Sequence, residues 1–378
     1  MTTKQRIDVQ TMSGQKIVDE FYMRRALKLA EKGKGHVSPN PMVGAVIVKK
    51  NRIIGEGYHQ RYGGSHAEIN AIRNASEKVE GSTIYITLEP CSHHGKTPPC
   101  VEVILAYNIK RVVVGTIDPN PVVSGRGIKI LENKGIKVTI GILEDECRKL
   151  NEKFFKFIQT RMPFITLKFA QSLDGRIALG TGDSKWVSSP VSLKFAHRLR
   201  STHDAILVGA GTVLHDNPEL TIRLVRGKNP IRIVVDSQLR IPMDARVLKN
   251  QDAAKTMIAS TLRADPQRRE QLAKMNIEVL LVDETPAHQV DLSKLFAELG
   301  RRGITSILIE GGAEIITSVL EKRMADRLIV AIAPKIFGKG VEAVGDLGIG
   351  NMEEVIHVVD RKFFRRGDDL ILEGKIKK

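Results

Sequence analysis

His66, Glu68, Cys91 and Cys100 are the residues whose types and spacing could do chemistry together. One imidazole and two thiolates give a tetrahedral zinc ion three protein ligands and leave its fourth position open. An open position takes water, and zinc lowers the pKa of that water to roughly 7, so hydroxide forms near neutral pH. Adding hydroxide to a ring carbon and expelling ammonia also needs a proton carrier beside the metal. Glu68, two residues from His66, can be that carrier.

Zinc-dependent deamination of bases goes with the pattern H-x-E…P-C-x-x-C. The chain has His66-Ala67-Glu68 and Pro90-Cys91, but the insert SHHGKTPP displaces the second cysteine to position 100. His93 or His94 in that insert could supply a fourth ligand and close the site, so a structural zinc stays open as the alternative. Pro98-Pro99 suits a helix start at Cys100, where the helix dipole favours a thiolate.

These residues need elements to hold them. Apolar residues at helical spacing predict a helix over 17–32, and Gly33 and Gly35 suit its stop. Strands are predicted at 42–48 and 53–59 around a polar turn, then a helix over 66–78 and a strand over 82–89. A loop runs to Pro99, followed by helix 100–108, strand 111–116, a Pro/Gly loop, a helix near 128–134 and strand 136–141. The pattern is a hairpin and then alternating strands and helices, which predicts a mixed sheet with helices on its faces. The charged amphipathic stretch 144–161 reads as a linking helix. The chain then restarts with strand 164–170, later strands at 205–209, 231–236, 277–283, 306–310 and 326–334, and helices at 189–201, 266–274, 291–300 and 312–322. This second half is also α/β. The expected organisation is an N-terminal extension over 1–17, one domain over 18–161 and another over 162–378.

Composition narrows the class. Hydrophobic residues are 42% and charged residues 27%, ordinary for a globular chain that buries a core. The sequence has no apolar run long enough to span a bilayer and no apolar signal-peptide core, so a cytoplasmic location is expected. Three cysteines exclude a disulfide framework and fit a reducing compartment. The net charge of +16 fits an anionic ligand or equally a basic solvated surface, since the cations are spread along the chain. Aromatics are only 4%, which leaves few stacking platforms for single-stranded nucleic acid.

With those motifs in place, the sequence resembles the bifunctional riboflavin-biosynthesis deaminase–reductases. In the first half the resemblance rests on SPNPMVGAVIV (38–48), GYH (57–59), HAE (66–68), LEPCSHHGKTPPC (88–100) and DPNPVVSGRG (118–127). In the second it rests on KFAQSLDG (168–175), SKWVSS (184–189), GAGTVLHDNPELTIR (209–223), VVDS (234–237) and ILIEGG (307–312). The resemblance implies a cytidine-deaminase-like domain followed by a dihydrofolate-reductase-like α/β domain. It implies deamination at C2 of 2,5-diamino-6-ribosylamino-4(3H)-pyrimidinone 5′-phosphate, then reduction of the ribosyl chain to ribityl with NADPH. His66, Cys91 and Cys100 match the family's zinc ligands and Glu68 its proton shuttle. Asn40, His59, Lys96, Asp118 and Asn120 fall where the family contacts the deaminase substrate. Lys96 could pair with a phosphate, and the two asparagines could read a pyrimidine edge or ribose. Residues beside proline are also ordinary loop punctuation.

The second half lacks G-x-G-x-x-G, so a Rossmann fingerprint is not supported. It does carry a strand, Glu310-Gly311-Gly312 and a helix, where a helix N-terminus can approach a phosphate, although a plain turn uses the same residues. The resemblance places NADPH along Ala170, Trp186, Thr212, Asp216, Ser237, Gly312, Ala313, Glu314, Ile315, Ile316, Thr317 and Ser318. It places the ribosyl phosphate near Lys168, Ser184, Arg200, Leu220, Arg223 and Glu310. Arg200 and Arg223 suit phosphate by charge and bidentate geometry, or serve solubility. The expected cofactors are Zn2+ and NADPH, the expected partner a phosphorylated pyrimidine, and the expected assembly a homo-oligomer without nucleic acid or membrane. The competing reading is a tRNA-type deaminase with a C-terminal RNA-binding module. The charge permits it, and the lack of an RRM-, KH- or zinc-finger-like signature counts against it.

Overall fold

A computed structural model describes residues 14–93, 98–121, 123–185 and 187–377. The chain divides into two compact units, one ending at Thr160 and the other starting at Arg161.

In the first unit, α1 (Gln15–Ala30) precedes the hairpin β1 (Gly44–Lys49) and β2 (Arg52–Tyr58). Then come α2 (Ala67–Arg73), β3 (Thr83–Leu88), α3 (Cys100–Ala106), β4 (Arg111–Thr116), α4 (Arg126–Asn133), β5 (Lys137–Ile140), α5 (Glu144–Leu150) and α6 (Glu152–Thr160). The sheet order is β2-β1-β3-β4-β5. β1 runs antiparallel to β2 and β3, and β3, β4 and β5 run parallel. Alternation along the strands feeds two cores. Ala45, Ile47, Ile84, Ile86, Val112 and Val114 face α2, α3 and α4. Val46, Val48, Tyr85 and Val113 face α1 and α5.

Glycines let α2 sit close on the hairpin. A Cβ on Gly57 would stand 2.3 Å from the Ala71 amide nitrogen, and one on Gly55 would stand 2.4 Å from the Ala71 carbonyl oxygen. The helix expected over 66–78 ends at Arg73 because the chain turns back onto β2. Asn74 Nδ2 donates to the Glu56 carbonyl at 2.9 Å, and the Ser76 amide donates to the Ile54 carbonyl at 2.7 Å.

The stretch read as one linking helix is two helices of the first unit. Cys147 of α5 is fully buried in the α1 core. Asn151, buried between α5 and α6, is drawn out of the helix to pair with Met42. Its Oδ1 accepts from the Met42 amide and its Nδ2 donates to the Met42 carbonyl, both at 2.8 Å.

In the second unit, β6 (Phe164–Gln171) and β7 (Arg176–Leu179) lead to α7 (Pro190–Arg200), β8 (Ala205–Gly209), α8 (Ala210–Asp216) and β9 (Ile231–Val235). They are followed by β10 (Thr256–Ser260), α9 (Pro266–Lys274), β11 (Glu278–Leu281), α10 (Leu292–Arg301), β12 (Ser306–Ile309) and α11 (Ala313–Glu321). The chain finishes with β13 (Arg327–Ile332), β14 (Gly340–Glu342), β15 (Val358–Arg366) and β16 (Asp369–Ile376). The large sheet runs β11-β10-β9-β8-β12-β6-β13-β16-β15, and β14 pairs with β7 in a separate ribbon. From β11 to β13 every pairing is parallel, and β16 and β15 add an antiparallel end. Helices α10 and α11 cover one face, and α8 and α9 the other. Parallel strands point their C-terminal ends the same way, and ligand sites of open α/β sheets form along that edge.

Candidate active sites

Three loops meet at one corner of the first unit. His66 is the residue before α2, Cys100 opens α3, and Cys91 stands just beyond β3 after Glu89 and Pro90. His66 Nδ1 lies 3.2 Å from Cys100 Sγ and 3.5 Å from Cys91 Sγ. The Cys100 amide donates to Cys91 Sγ at 3.3 Å. The three donor atoms lie within 4.8 Å of one another, and among the described residues they are the one such cluster. His93 is exposed and does not join it, while His94 lies outside the described residues. The two thiols share a hydrogen bond that lowers the pKa of Cys91 and raises that of Cys100. One imidazole and two sulfurs in this compass fit the short bonds of a tetrahedral zinc ion, with the fourth direction unclaimed by any described side chain.

Glu68 sits in the first turn of α2, 3% exposed, and touches the Cys100 thiol. Burial pushes its carboxyl up, and the Cys91 charge pushes it further. A carboxyl so held keeps a proton more readily than a free one, beside the sulfur it touches. His59 is buried against the His66 ring, centroids 5.6 Å apart. Its Nε2 meets Asn40 Nδ2 at 3.2 Å, and its Nδ1 meets the Ser65 carbonyl at 3.1 Å. Burial lowers its pKa. Asp118 is pushed up to about 6 by burial, with the charges of Glu89 and Cys91 adding to the rise. Its Oδ1 accepts from the Asn120 amide at 2.8 Å. Asn40, His59, Asp118 and Asn120 thus gather around the cluster, while Lys96 lies outside the described residues.

The second unit holds a cleft of about 880 Å³ at the C-terminal ends of its parallel strands. Of the residues expected at a dinucleotide, Ala170, Thr212, Asp216, Ser237, Gly312, Ala313, Glu314, Ile315, Ile316 and Ser318 line it. Thr317 does not; its hydroxyl donates to the Ala313 carbonyl at 2.7 Å and accepts from the Gly345 amide at 2.8 Å. Trp186 lies outside the described residues. Gly311 and Gly312 have φ of 109° and 76°, a conformation that favours glycine, and they line the cleft together with the first residues of α11.

Lys168, Ser184 and Glu310 line the same cleft. Ser184 Oγ donates to Asp216 Oδ1 at 2.7 Å. Arg200 grips Glu310 with both arms, at 2.9 and 2.7 Å, and gives its third nitrogen to the Thr221 carbonyl at 3.0 Å. It therefore holds a cleft carboxylate rather than standing in the cleft. Arg223 pairs with Glu219 at 2.7 Å at the surface, and Leu220 is buried in the core with φ of 56°. Burial lowers the Lys168 pKa, with the Glu310 charge opposing.

The model for the RibD C-terminal domain matches residues 163–372, more than half the chain. The chain belongs to the RibD family. A model of the cytidine and deoxycytidylate deaminase zinc-binding region matches residues 16–116. The riboflavin biosynthesis protein RibD of Aquifex aeolicus is 44% identical, over 94% of this chain and 98% of that protein. The RibD of Escherichia coli is 42% identical, over 90% and 96%. Among solved structures, a Thermotoga maritima diaminohydroxyphosphoribosylaminopyrimidine deaminase/5-amino-6-(5-phosphoribosylamino)uracil reductase is 39% identical with a TM-score of 0.84, covering 96% of this chain and all of that one. An Acinetobacter baumannii RibD is 34% identical with a TM-score of 0.86 at the same coverage.

Membership in the RibD family makes this chain a bifunctional enzyme of riboflavin biosynthesis, a zinc-binding deaminase domain followed by a reductase domain that uses a nicotinamide cofactor. No described helix is long and apolar enough to cross a membrane. The sequence reasoning missed one residue that the structure puts at the heart of the first site. Glu89, 4% exposed, accepts from two loop amides and one in the first turn of α4: Asp118 and Gly125 at 3.3 and 2.9 Å through Oε2, and Gly127 at 3.0 Å through Oε1. One carboxylate next to Pro90-Cys91 therefore ties the metal turn to the loop bearing Asp118 and Asn120. An acid ending an apolar strand, with glycines in the facing loop, was the available signal. The reasoning also passed over Arg240 and His288, which line the second cleft.

Proposed function

We propose that the first site deaminates 2,5-diamino-6-ribosylamino-4(3H)-pyrimidinone 5′-phosphate at C2, and that the second reduces the ribosyl group of the product to ribityl with NADPH. The observation that carries the first half is the cluster of His66, Cys91 and Cys100 donors within 4.8 Å, with the buried Glu68 beside it. Zinc held there supplies a water acidified enough to act as a nucleophile. Glu68, beside the three donors, would take up a proton from a water bound there and hand protons to the ring nitrogen and the departing amine. Water oxygen replaces nitrogen at C2, ammonia leaves, and no electrons change hands. His59 and Asn40 position the pyrimidine, and Asp118 and Asn120 hold the ribose side, with Lys96 reserved for the phosphate.

In the second cleft, the N-terminus of α11 would hold the dinucleotide pyrophosphate. Arg200 keeps Glu310 ionised and oriented, and Lys168 is suited by burial to give up a proton. A nicotinamide bound there would supply the hydride, and the protein supplies orientation. The Thermotoga maritima relative, a deaminase and uracil reductase in one chain, supports this pair of reactions.

The test is coupled turnover on the diaminopyrimidine phosphate, reading ammonia release and then NADPH oxidation. Glu68→Gln should retain one zinc by elemental analysis and lose ammonia release, while reducing the deaminated product at the normal rate. Normal ammonia release by that variant removes Glu68 from the mechanism.

A further inference from the structure

Asn40 has neither helix nor strand to hold it. Residues 34–43 run as turns and open loop up to β1. Contacts hold this loop instead. The Asn40 amide donates to the Val37 carbonyl at 2.9 Å, the Val43 carbonyl accepts from the His59 amide at 2.9 Å, and the Gly44 amide donates to the Thr87 hydroxyl at 3.1 Å. Between these points stands Met42, and both of its backbone groups go to Asn151. Oδ1 accepts from the Met42 amide and Nδ2 donates to the Met42 carbonyl, each at 2.8 Å.

Asn151 is a firm base for that hold. It is 2% exposed. Its own amide donates to the Arg148 carbonyl at 3.1 Å, and its carbonyl accepts from the Phe155 amide at 2.9 Å, so its backbone is bonded to α5 and α6 at once. A side-chain amide offers a donor and an acceptor in one plane. Two bonds in that plane fix the tilt of the Met42 backbone as well as its position.

The hold reaches the site through Asn40-Pro41-Met42. The Pro41 ring locks its own φ and confines the residue before it to extended conformations. Asn40 therefore follows Met42 with little backbone slack. Asn40 Nδ2 lies 3.2 Å from Nε2 of His59, whose ring packs on His66 with centroids 5.6 Å apart. A displacement at Met42 is carried to both polar groups beside the metal donors.

Given Asn40 and His59 as the residues that position the pyrimidine, we propose that Asn151 is a positioning residue for deamination. Its side chain sets Asn40 against the substrate through Met42, and it does not act on the substrate itself.

The test is steady-state ammonia release from the diaminopyrimidine phosphate by the zinc-loaded full chain, with reduction of the deaminated product measured alongside. Asn151→Ala should raise KM for deamination about tenfold, with kcat within about threefold, zinc near one equivalent and reduction unchanged. Asn151→Asp keeps the shape. Its carboxyl reproduces both bonds when protonated and has no donor for the Met42 carbonyl when ionised. Its KM relative to the native chain should be near one at the acid end of the working range and climb as pH rises. Asn40→Ala should raise KM, and adding Asn151→Ala to it should cost little more, since both changes act at one point. Native KM in Asn151→Ala, or independent effects that multiply in the double variant, overturn the positioning role. So does a parallel loss of kcat, zinc and reduction in Asn151→Ala joined to a KM ratio in Asn151→Asp that ignores pH, the mark of a residue that only supports the fold. If Asn151→Ala does not fold, the pH profile of Asn151→Asp decides. Native KM in Asn40→Ala overturns the reading of the first site on which the proposal rests, whatever the Asn151 variants do.

Discussion

Glu89→Gln is the sharpest probe of how the deaminase site is built. The native carboxylate receives three amides, two on Oε2 and one on Oε1. A glutamine in its better orientation keeps its oxygen on Asp118 and Gly125 and turns its NH2 toward the Gly127 amide. One charge-assisted bond, about 1.5–3 kcal/mol, is lost, and two donors are left facing each other in a buried place. The two remaining bonds also lose their charge. The sum is about 3 kcal/mol, which for a unit of this size lowers its melting temperature by roughly 6–12 °C. None of the three metal donors changes, so zinc by elemental analysis should remain near one equivalent. The loop carrying Asp118 and Asn120 loses its anchor, so KM for deamination should rise tenfold or more while reduction is untouched. Scanning calorimetry and ammonia release read the two effects. A native melting profile with native deamination would show that the carboxylate anchors nothing.

Three further outcomes are expected. Arg200→Met strands the buried Glu310 and should cost about 3–5 kcal/mol in urea denaturation. Adding Glu310→Gln should restore much of that stability but not reduction; a single variant as stable as the native chain refutes the pairing. His197 accepts the Arg223 amide at 2.9 Å, and burial, with Arg200 and Arg223, lowers its pKa to about 4. Its folded pKa lies below the unfolded value, so its contribution, up to about 2 kcal/mol, is present above pH ~6.5 and is lost as pH falls toward 4. His197→Asn should flatten that part of the melting temperature–pH curve, and an unchanged curve removes His197 as the cause. Gly127→Ala would set a methyl 2.3 Å from the Pro90 carbonyl oxygen, beside Cys91. The displaced turn should weaken zinc retention against a chelator about tenfold, and native retention would show that the turn yields freely.

Most of the parallel strands were legible because buried both-face strands read as unbroken apolar runs, as in AILVG and IRIVV, whereas β10, TMIAS, has polar ends and was not expected. Other elements were not. β15 carries four basic residues in VVDRKFFRR and reads as polar surface. α8 contains Gly211 and looks like a turn, although it caps β8 and brings Thr212 and Asp216 to the cleft. The break at Asn151 is invisible in a helical pattern, since it is set by a long-range pairing with Met42. The metal donors were legible because ligand chemistry restricts residue type. Glu89 was hidden because an anchor works through backbone amides, which leave no mark on the partner's sequence. Arg200 was expected to meet the ribosyl phosphate; its grip on Glu310 depends on a contact between α7 and the end of β12 that the sequence does not show.

The closeness of α2 to the hairpin has a practical consequence. With no side chain at Gly55 or Gly57, the helix rests almost directly on the strand backbone, and that spacing fixes the height of His66 and Glu68. A single methyl at either glycine would act as a shim, raising the imidazole and the carboxylate together while the sulfurs after β3 and on α3 stayed put. Random mutagenesis of this enzyme should therefore find hydrolysis-dead variants in a strand that touches neither metal nor pyrimidine.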